Sequence, residues 1–322
     1  MKFAANLSPS RRQQLMFGYL CFVWGTTWLG MKVGIATVPP ALFAGTRWTI
    51  AGLVLLAIRY ARGESIMPPP RLALRLLLVA VLMVSMTSAI QMYGLRYITA
   101  GLAAVITSAL SPVALLGFSV ALGQDRFSPR QLGAIALGVA GVVVLFGPSA
   151  LAGKLDVWEM LGAAGVIIGC LSYSLGSVLA RPVMRSLAPV QVSGLTNLIG
   201  GFALLAGALA FDPGSRAAVT HLWAWPAALA WLYLLVPGSL VATTIYFLLV
   251  RDWGPTRTGT YAFVSPVIAV VLGCALFGEQ VDWGDAAGML LMLLGAGLAL
   301  RPAALAKAMP RVNRRRISMR AG

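Results

Sequence analysis

The chain has 322 residues, of which 59% are hydrophobic and only 11% are charged. Soluble domains carry roughly a quarter charged residues, so this composition excludes an ordinary soluble protein and indicates an integral membrane protein. The net charge of +16 would suit a nucleic-acid-binding protein. However, the basic residues lie in short connections and tails instead of on one polar face, so membrane topology explains them better, and we expect no nucleic-acid partner.

The chain divides into ten apolar runs. Each is about long enough to cross roughly 30 Å of hydrocarbon as a helix, and none alternates in hydrophobicity as the strands of a membrane barrel do. The first run follows Arg11 and Arg12 as in a signal peptide, but no small-x-small cleavage site follows it, so we predict a retained helix. The predicted spans are residues 15–35, 41–58, 74–95, 100–121, 131–147, 158–179, 188–211, 223–250, 256–277 and 284–301.

The basic residues set the orientation of these spans, because cytoplasmic loops are enriched in Lys and Arg. With both termini in the cytoplasm, 20 of the 25 basic residues lie in cytoplasmic connections and tails, and Arg47 lies within a span. Those that fall outside are Lys32, Arg96, Lys154 and Arg216. We predict a multi-pass protein of the bacterial inner membrane with cytoplasmic N and C termini.

The stretch from Ser88 to Phe146 recurs from Ala242 to Leu300. Each copy holds a Ser-Pro-Val triplet, and the two triplets lie 154 residues apart. A repeat of this length indicates two related units. A unit of five spans that starts inside ends outside, so the second unit must cross the membrane in the opposite direction.

We therefore predict an all-α membrane protein in which ten helices form two inverted five-helix repeats around a central cavity. The first repeat covers residues 1–150, and the second covers residues 151–322 with a basic cytoplasmic tail.

Several short motifs follow one another in both halves of the chain. They are Trp24, Gly25, Thr26, Thr27 and Trp28; Arg47; Ala100 and Gly101; Pro112; and Gly278 and Glu279. In their order and spacing the chain resembles the EamA-type drug/metabolite transporters, and within them the bacterial amino-acid and metabolite exporters, including the YddG-type aromatic amino-acid exporter. The resemblance implies a ten-helix inner-membrane exporter with a central cavity.

Polar residues within spans are costly unless they face protein or water, so they mark candidate transport pathways. The residues predicted to bind substrate are Trp24, Thr27, Trp28, Arg47, Ser88, Gln91, Ser111, Ser172, Tyr173, Thr244, Tyr246, Tyr261 and Ser265. A lining of hydroxyls, an amide and aromatic rings would suit a small zwitterion or an aromatic metabolite. Each hydroxyl has a structural alternative, a bond to its own helix, and Trp24 and Trp28 have interfacial placement as theirs.

Arg47 is the strongest single candidate for substrate binding, because this charged residue lies roughly 9 Å into its span. A functional Arg47 would attract a carboxylate, whereas a structural one would tie backbone carbonyls of neighbouring helices. Since its counterpart in the second half is Asn197, another hydrogen-bonding residue, the sequence favours the structural role.

The sequence also offers no cofactor or metal site. No Asp or Glu lies in the middle of a span, which makes proton coupling doubtful. The segment from Gly147 to Lys154 has the wrong glycine spacing for a phosphate loop, so ATP is not expected as the energy source.

The leading hypothesis is a secondary transporter that exports small organic solutes, most simply neutral or aromatic amino acids, and whose partners are a small-molecule substrate and the lipid bilayer. An uptake carrier or a phosphate-ester or nucleotide-sugar antiporter is the nearest alternative, although phosphate would require more cations than Arg47. A channel and a membrane enzyme are weaker alternatives, and a non-enzyme is predicted. Small-residue faces such as Gly165 with Gly169 indicate helix packing first, and a homodimer stays open.

Overall fold

Prolines and capping side chains set the beginnings of the helices in the computed structural model, which describes residues 8–151, 156–277 and 283–300. Five of the long helices begin at a proline, whose missing N–H costs nothing in the first turn. Elsewhere a side chain takes this role: Thr99 Oγ1 accepts a hydrogen bond from the Leu102 N–H at 3.1 Å, and Asp156 and Glu159 form a reciprocal capping box.

The long helices of the described residues are numbered here in chain order. They are α1 (Pro9–Ile35), α2 (Pro40–Ala61), α3 (Pro70–Gly94), α4 (Ala100–Ala121), α5 (Pro129–Leu151), α6 (Val157–Val183), α7 (Pro189–Phe211), α8 (Trp225–Trp253), α9 (Tyr261–Phe277) and α10 (Trp283–Leu300). Two short helices, Pro213–Val219 and Pro255–Thr258, precede α8 and α9.

Seven of these helices are long and apolar enough to cross a membrane: α2, α3, α4, α6, α7, α8 and α10. Helix α5 adds a shorter apolar stretch, Pro129–Val144. Helices are the regular structure throughout the described residues, which contain no strands, so the chain is an all-α multi-pass membrane protein. The ten-span count and the inverted arrangement of the halves stay predictions.

The predicted span 256–277 is not one continuous helix. Gly254, at φ 84°, ends α8, and the short helix Pro255–Thr258 follows. A turn at Gly259 and Thr260 then separates this helix from α9. A glycine with positive φ followed by a proline cannot continue a helix, which explains the end of α8 at Gly254.

Helices α3 and α8 each change to π-helical geometry part-way along their length. The π segments are Val81–Met86 in α3 and Leu234–Ala242 in α8, at corresponding positions of the two halves. Pro237 explains the second, because proline lacks the N–H of the regular ladder, and the first contains no proline. Both segments border the centre of the bundle.

Glycines let counterpart helices of the two halves approach closely. Helix α2 packs on α7, where a Cβ at Gly52 would lie only 2.3 Å from the Leu198 nitrogen. Helix α5 packs on α10, where a Cβ at Gly141 would lie 2.6 Å from the Gly288 carbonyl oxygen. These small-residue faces are therefore used for packing within the chain.

The remaining contacts repeat in matching pairs. Helix α6 packs on α3 and α4, and its counterpart α1 packs on α8 and α9. Each half thus contributes the same set of neighbours around one central space.

Candidate functional site

A cavity of about 150 Å³ lies at the centre of the bundle, between the π segments of α3 and α8. Nine of the residues predicted to bind substrate line it: Trp24, Thr27, Trp28, Arg47, Ser88, Gln91, Ser111, Tyr173 and Tyr261. They come from both halves of the chain, so the fold brings together groups that are up to 237 residues apart, as between Trp24 and Tyr261.

The rings of Trp24, Tyr173 and Tyr261 form one wall of the cavity, and Tyr246 packs behind them. The ring centroid of Trp24 lies 4.6 Å from that of Tyr261, 5.0 Å from that of Tyr246 and 6.0 Å from that of Tyr173. Such tilted and edge-to-face pairs are favourable and hold the indole in place. Trp24 is therefore a fixed surface on which a flat substrate group can rest.

Arg47 enters the cavity from α2 and is 95% buried, with a relative exposure of only 5%. Its Nη1 donates to the Ser239 hydroxyl at 3.1 Å and to the Leu234 carbonyl at 3.5 Å, and its guanidinium lies 4.3 Å from the ring centre of Trp48. Its Nε is buried without a hydrogen-bond partner. Among the described residues no carboxylate forms an ion pair with it.

Arg47 thus has both of the roles that the sequence left open. It ties the π segment of α8 through Ser239 and Leu234, as the structural interpretation predicts. It is also a cation that lines the cavity and has one N–H without a partner, as the functional interpretation requires. Because burying an unpaired charge is costly, the site is chemically suited to an anionic group.

Four predicted residues lie elsewhere. Ser265 lines a neighbouring cavity and donates to the Cys21 carbonyl at 3.0 Å. The other three bond behind the wall: Ser172 to the Leu82 carbonyl, Thr244 to the Leu240 carbonyl and Tyr246 to the Ser177 hydroxyl.

The neighbouring cavity, of about 260 Å³, lies between α1, α4 and α9. Trp24, Trp28, Thr107 and Tyr261 line both cavities, so these side chains form the partition between them. The rest of its lining is mostly small or apolar, including Ala100, Gly101 and the exposed Leu29.

Some cavity residues were not predicted. Trp48 donates from its indole nitrogen to the Ser88 hydroxyl at 2.8 Å and so fixes a predicted residue. Thr107 also lines both cavities, and its hydroxyl is buried without a partner. A polar residue one turn before Ser111 on the same helix was the available signal for Thr107. In residues 8–151, 156–277 and 283–300 no group of His, Cys, Asp and Glu could hold a metal ion.

An internal cavity with one charged side chain, enclosed by apolar helices of membrane-spanning length, defines a membrane protein that takes up a small solute between its helices. The chain belongs to the EamA-like transporter family: the family model matches residues 14–147 and again residues 160–301. It is a membrane transporter. The Gly278 and Glu279 motif of the predicted resemblance lies outside the described residues.

Named relatives cover most of the chain. The chain is 31% identical over 271 residues to the uncharacterized inner membrane transporter YedA of Escherichia coli strain K12, covering 82% of this chain and 83% of YedA. It is 29% identical over 287 residues to the uncharacterized transporter YvbV of Bacillus subtilis strain 168, covering 88% and 90%. A solved crystal structure matches with a TM-score of 0.74 at 21% identity, covering 91% of this chain and 97% of that one, which shows the shared fold.

Proposed function

We propose that the protein is a secondary transporter that exports small zwitterionic solutes, neutral or aromatic amino acids or related metabolites, across the inner membrane by alternating access. Both termini would lie in the cytoplasm. Residues 1–150 and 151–322 would form two five-helix units of opposite orientation, with the substrate held between them.

The observation that carries this proposal is the state of Arg47. Among the described residues that line the two cavities it is the only charged side chain, it is buried, and its Nε has no partner. A carboxylate is the common small anion that one guanidinium neutralises with paired hydrogen bonds. The adjacent wall of Trp24, Trp28 and Tyr261 supplies stacking area for an apolar or aromatic substituent.

The packing of the helices supports two opposed units. Matched helices of the two halves pack on each other, α2 on α7 and α5 on α10, and the family model matches each half separately. The two π segments lie at equivalent positions beside the cavity. Such irregular segments at the centre of the bundle are typical of carriers whose halves rock about the substrate.

The alternatives fit this site less well. A phosphate ester carries more negative charge than a single guanidinium neutralises, and among the described residues that line the cavity Arg47 is the only cation. The proposal that net flux is outward rests on the resemblance to bacterial exporters. An uptake carrier would use the same site.

The test is flux of labelled amino acids into vesicles that contain only the purified protein. Saturable flux of a neutral or aromatic amino acid is expected, and Arg47→Gln should reduce it by about tenfold or more, because a hydrogen bond to a charged group contributes roughly 1.5–3 kcal/mol. The matched control is Arg59→Gln on the same helix, since Arg59 pairs with Glu64 away from the cavity. Absence of saturable flux for every amino acid in the panel would refute the proposal.

A further inference from the structure

Asn197 is the counterpart of Arg47 in the second half of the chain, 150 residues later. It lies on α7, which packs tightly against α2, and so both side chains reach the same cavity. Asn197 is fully buried, with a relative exposure of 0%. At this one position the two halves thus supply a cation and a neutral amide to a shared site.

One residue of the π segment in α8 holds both side chains. The Asn197 Nδ2 donates to the main-chain carbonyl of Ser239 at 3.3 Å, and the Arg47 Nη1 donates to the hydroxyl of the same serine at 3.1 Å. The bond from Nδ2 fixes the orientation of the amide, because only the nitrogen of the amide can donate.

This arrangement leaves the Asn197 Oδ1 buried with no hydrogen-bond partner, as the Arg47 Nε is. Buried polar atoms are normally paired, so an orphan acceptor on a side chain that lines a cavity points to a ligand that supplies the donor. Two side chains that line the cavity thus carry an unpaired donor with positive charge and an unpaired acceptor, and Ser239 holds both side chains.

We propose that Asn197 Oδ1 accepts a hydrogen bond from the ammonium group of a zwitterionic substrate while Arg47 binds its carboxylate. This inference rests on the proposed function and adds the feature that the carrier recognises the amino group. An ammonium has three donors and no acceptor, so it matches an acceptor such as Oδ1. With the two charged ends at α2 and α7, the side chain of the substrate faces Trp24, Trp28 and Tyr261.

The chemistry explains why an amide serves here better than a carboxylate. An aspartate at position 197 would form an ion pair with the nearby Arg47 in the empty carrier and so neutralise the cation that the substrate needs. A neutral carbonyl oxygen can accept from the ammonium without competing for the guanidinium.

The experiment measures binding of three probes to purified protein: phenylalanine, N-acetylphenylalanine, which lacks the ammonium, and phenethylamine, which lacks the carboxylate. In the wild type, phenylalanine should bind most tightly. Asn197→Leu should reduce its preference over N-acetylphenylalanine by about tenfold, because one charge-assisted hydrogen bond is lost, and leave its preference over phenethylamine unchanged. Arg47→Gln should give the opposite pattern.

The matched control is Ser193→Ala. Ser193 lies one turn before Asn197 on α7, is equally buried and does not line the cavity, and its hydroxyl accepts a hydrogen bond from Thr244 at 3.3 Å, so both preferences should be retained. If Asn197→Leu does not fold, Asn197→Asp, which keeps the volume, should raise the relative affinity for phenethylamine by severalfold or more.

The outcomes separate the two proposals. Binding of phenylalanine with an unchanged preference over N-acetylphenylalanine in Asn197→Leu would overturn the role of Asn197 and leave the amino-acid carrier standing. Failure of the wild type to bind any of the three probes would overturn both.

Discussion

The two ends of the helix bundle are held in different ways, although they carry equivalent cations. Lys32 near the end of α1 and Arg181 near the end of α6 occupy the same position in the two halves, 149 residues apart. Arg181 pairs with Asp125 at 3.4 Å, and Asp125 also accepts a hydrogen bond from the Thr256 hydroxyl at 2.8 Å. Asp125 thus joins the connection after α4 to α6 and to the short helix before α9.

Lys32 has simpler partners at the opposite end. In the part of the chain that the structure describes, its Nζ donates to the main-chain carbonyls of Leu95 at 2.6 Å and Ile98 at 2.8 Å, both in the connection between α3 and α4. The cavity of about 260 Å³ lies at this end, beside Ala100 and Gly101. A further cavity, of about 200 Å³, lies beside Thr256 near the other end. The two ends therefore differ in their contacts: an ion pair and a side-chain hydrogen bond join the elements at the Asp125 end, whereas Lys32 contacts main-chain carbonyls.

This difference bears on how the two ends would open if the protein works by alternating access. On the proposed topology the Asp125 end faces the cytoplasm, and we expect the bonds of Asp125 to hold that end closed until the cavity opens inward. Variants that weaken the contacts at each end separately test this comparison.

The largest effect is expected from Asp125→Ala. The variant removes an ion pair and a hydrogen bond that join three elements, which should cost the closed state roughly 1–3 kcal/mol and shift the population of the open form by about five- to 150-fold. The measurement is the modification rate of a cysteine introduced at the buried Val178, in a background without native cysteines, by an impermeant maleimide applied from the cytoplasmic side.

The control for this variant is Glu64→Ala. Its carboxylate pairs with Arg59, five residues earlier at the end of α2, and joins no other helix, so its loss should leave the modification rate unchanged. Equal rates in Asp125→Ala and in the wild type would show that Asp125 does not hold this end closed.

The next effect concerns the contact between α1 and α9 beside the cavity of about 260 Å³. A Cβ at Gly25 would lie 2.8 Å from the Ser265 carbonyl oxygen, whereas one at Gly18 of the same helix would meet nothing within 4 Å. Gly25→Ala should separate the helices at a cost of roughly 1–3 kcal/mol, seen as a lower Tm and severalfold slower transport. Gly18→Ala is the matched control, and equal behaviour of the two variants would contradict the close contact.

The sequence shows which residues within the helices are polar, but it does not show which of their side chains face the cavity once the helices have packed. Polar residues such as Gln91 and Ser111 stand out within apolar runs, and they line the cavity. Ser172, Thr244 and Tyr246 were just as polar, yet each bonds behind the wall. A hydroxyl that satisfies a neighbouring carbonyl has the same sequence pattern as one that faces a ligand, so packing alone separates them.

The fold likewise has features that the sequence predicts and features that only packing determines. The helix type and most boundaries follow from apolar length and from prolines at helix starts. The break at Gly259 was missed because the polar residues 256–260 were counted in the predicted span 256–277, and the π segment Val81–Met86 contains no proline that would indicate it. In this π segment the Leu82 carbonyl accepts from Thr87 of the same helix and from Ser172 of α6.

The smallest effect is expected from Lys32→Gln. Its two bonds go to carbonyls of one connection, and the side chain is partly exposed, so its loss should alter labelling of the cavity from the outer side by less than about threefold. Arg181→Gln at the equivalent position should instead resemble Asp125→Ala, because it breaks the bond between α6 and the connection after α4. Equally large effects of Lys32→Gln and Arg181→Gln would mean that both ends close by equivalent contacts, and the difference between an end held by an ion pair and an end held by main-chain carbonyls would then not describe how the carrier works.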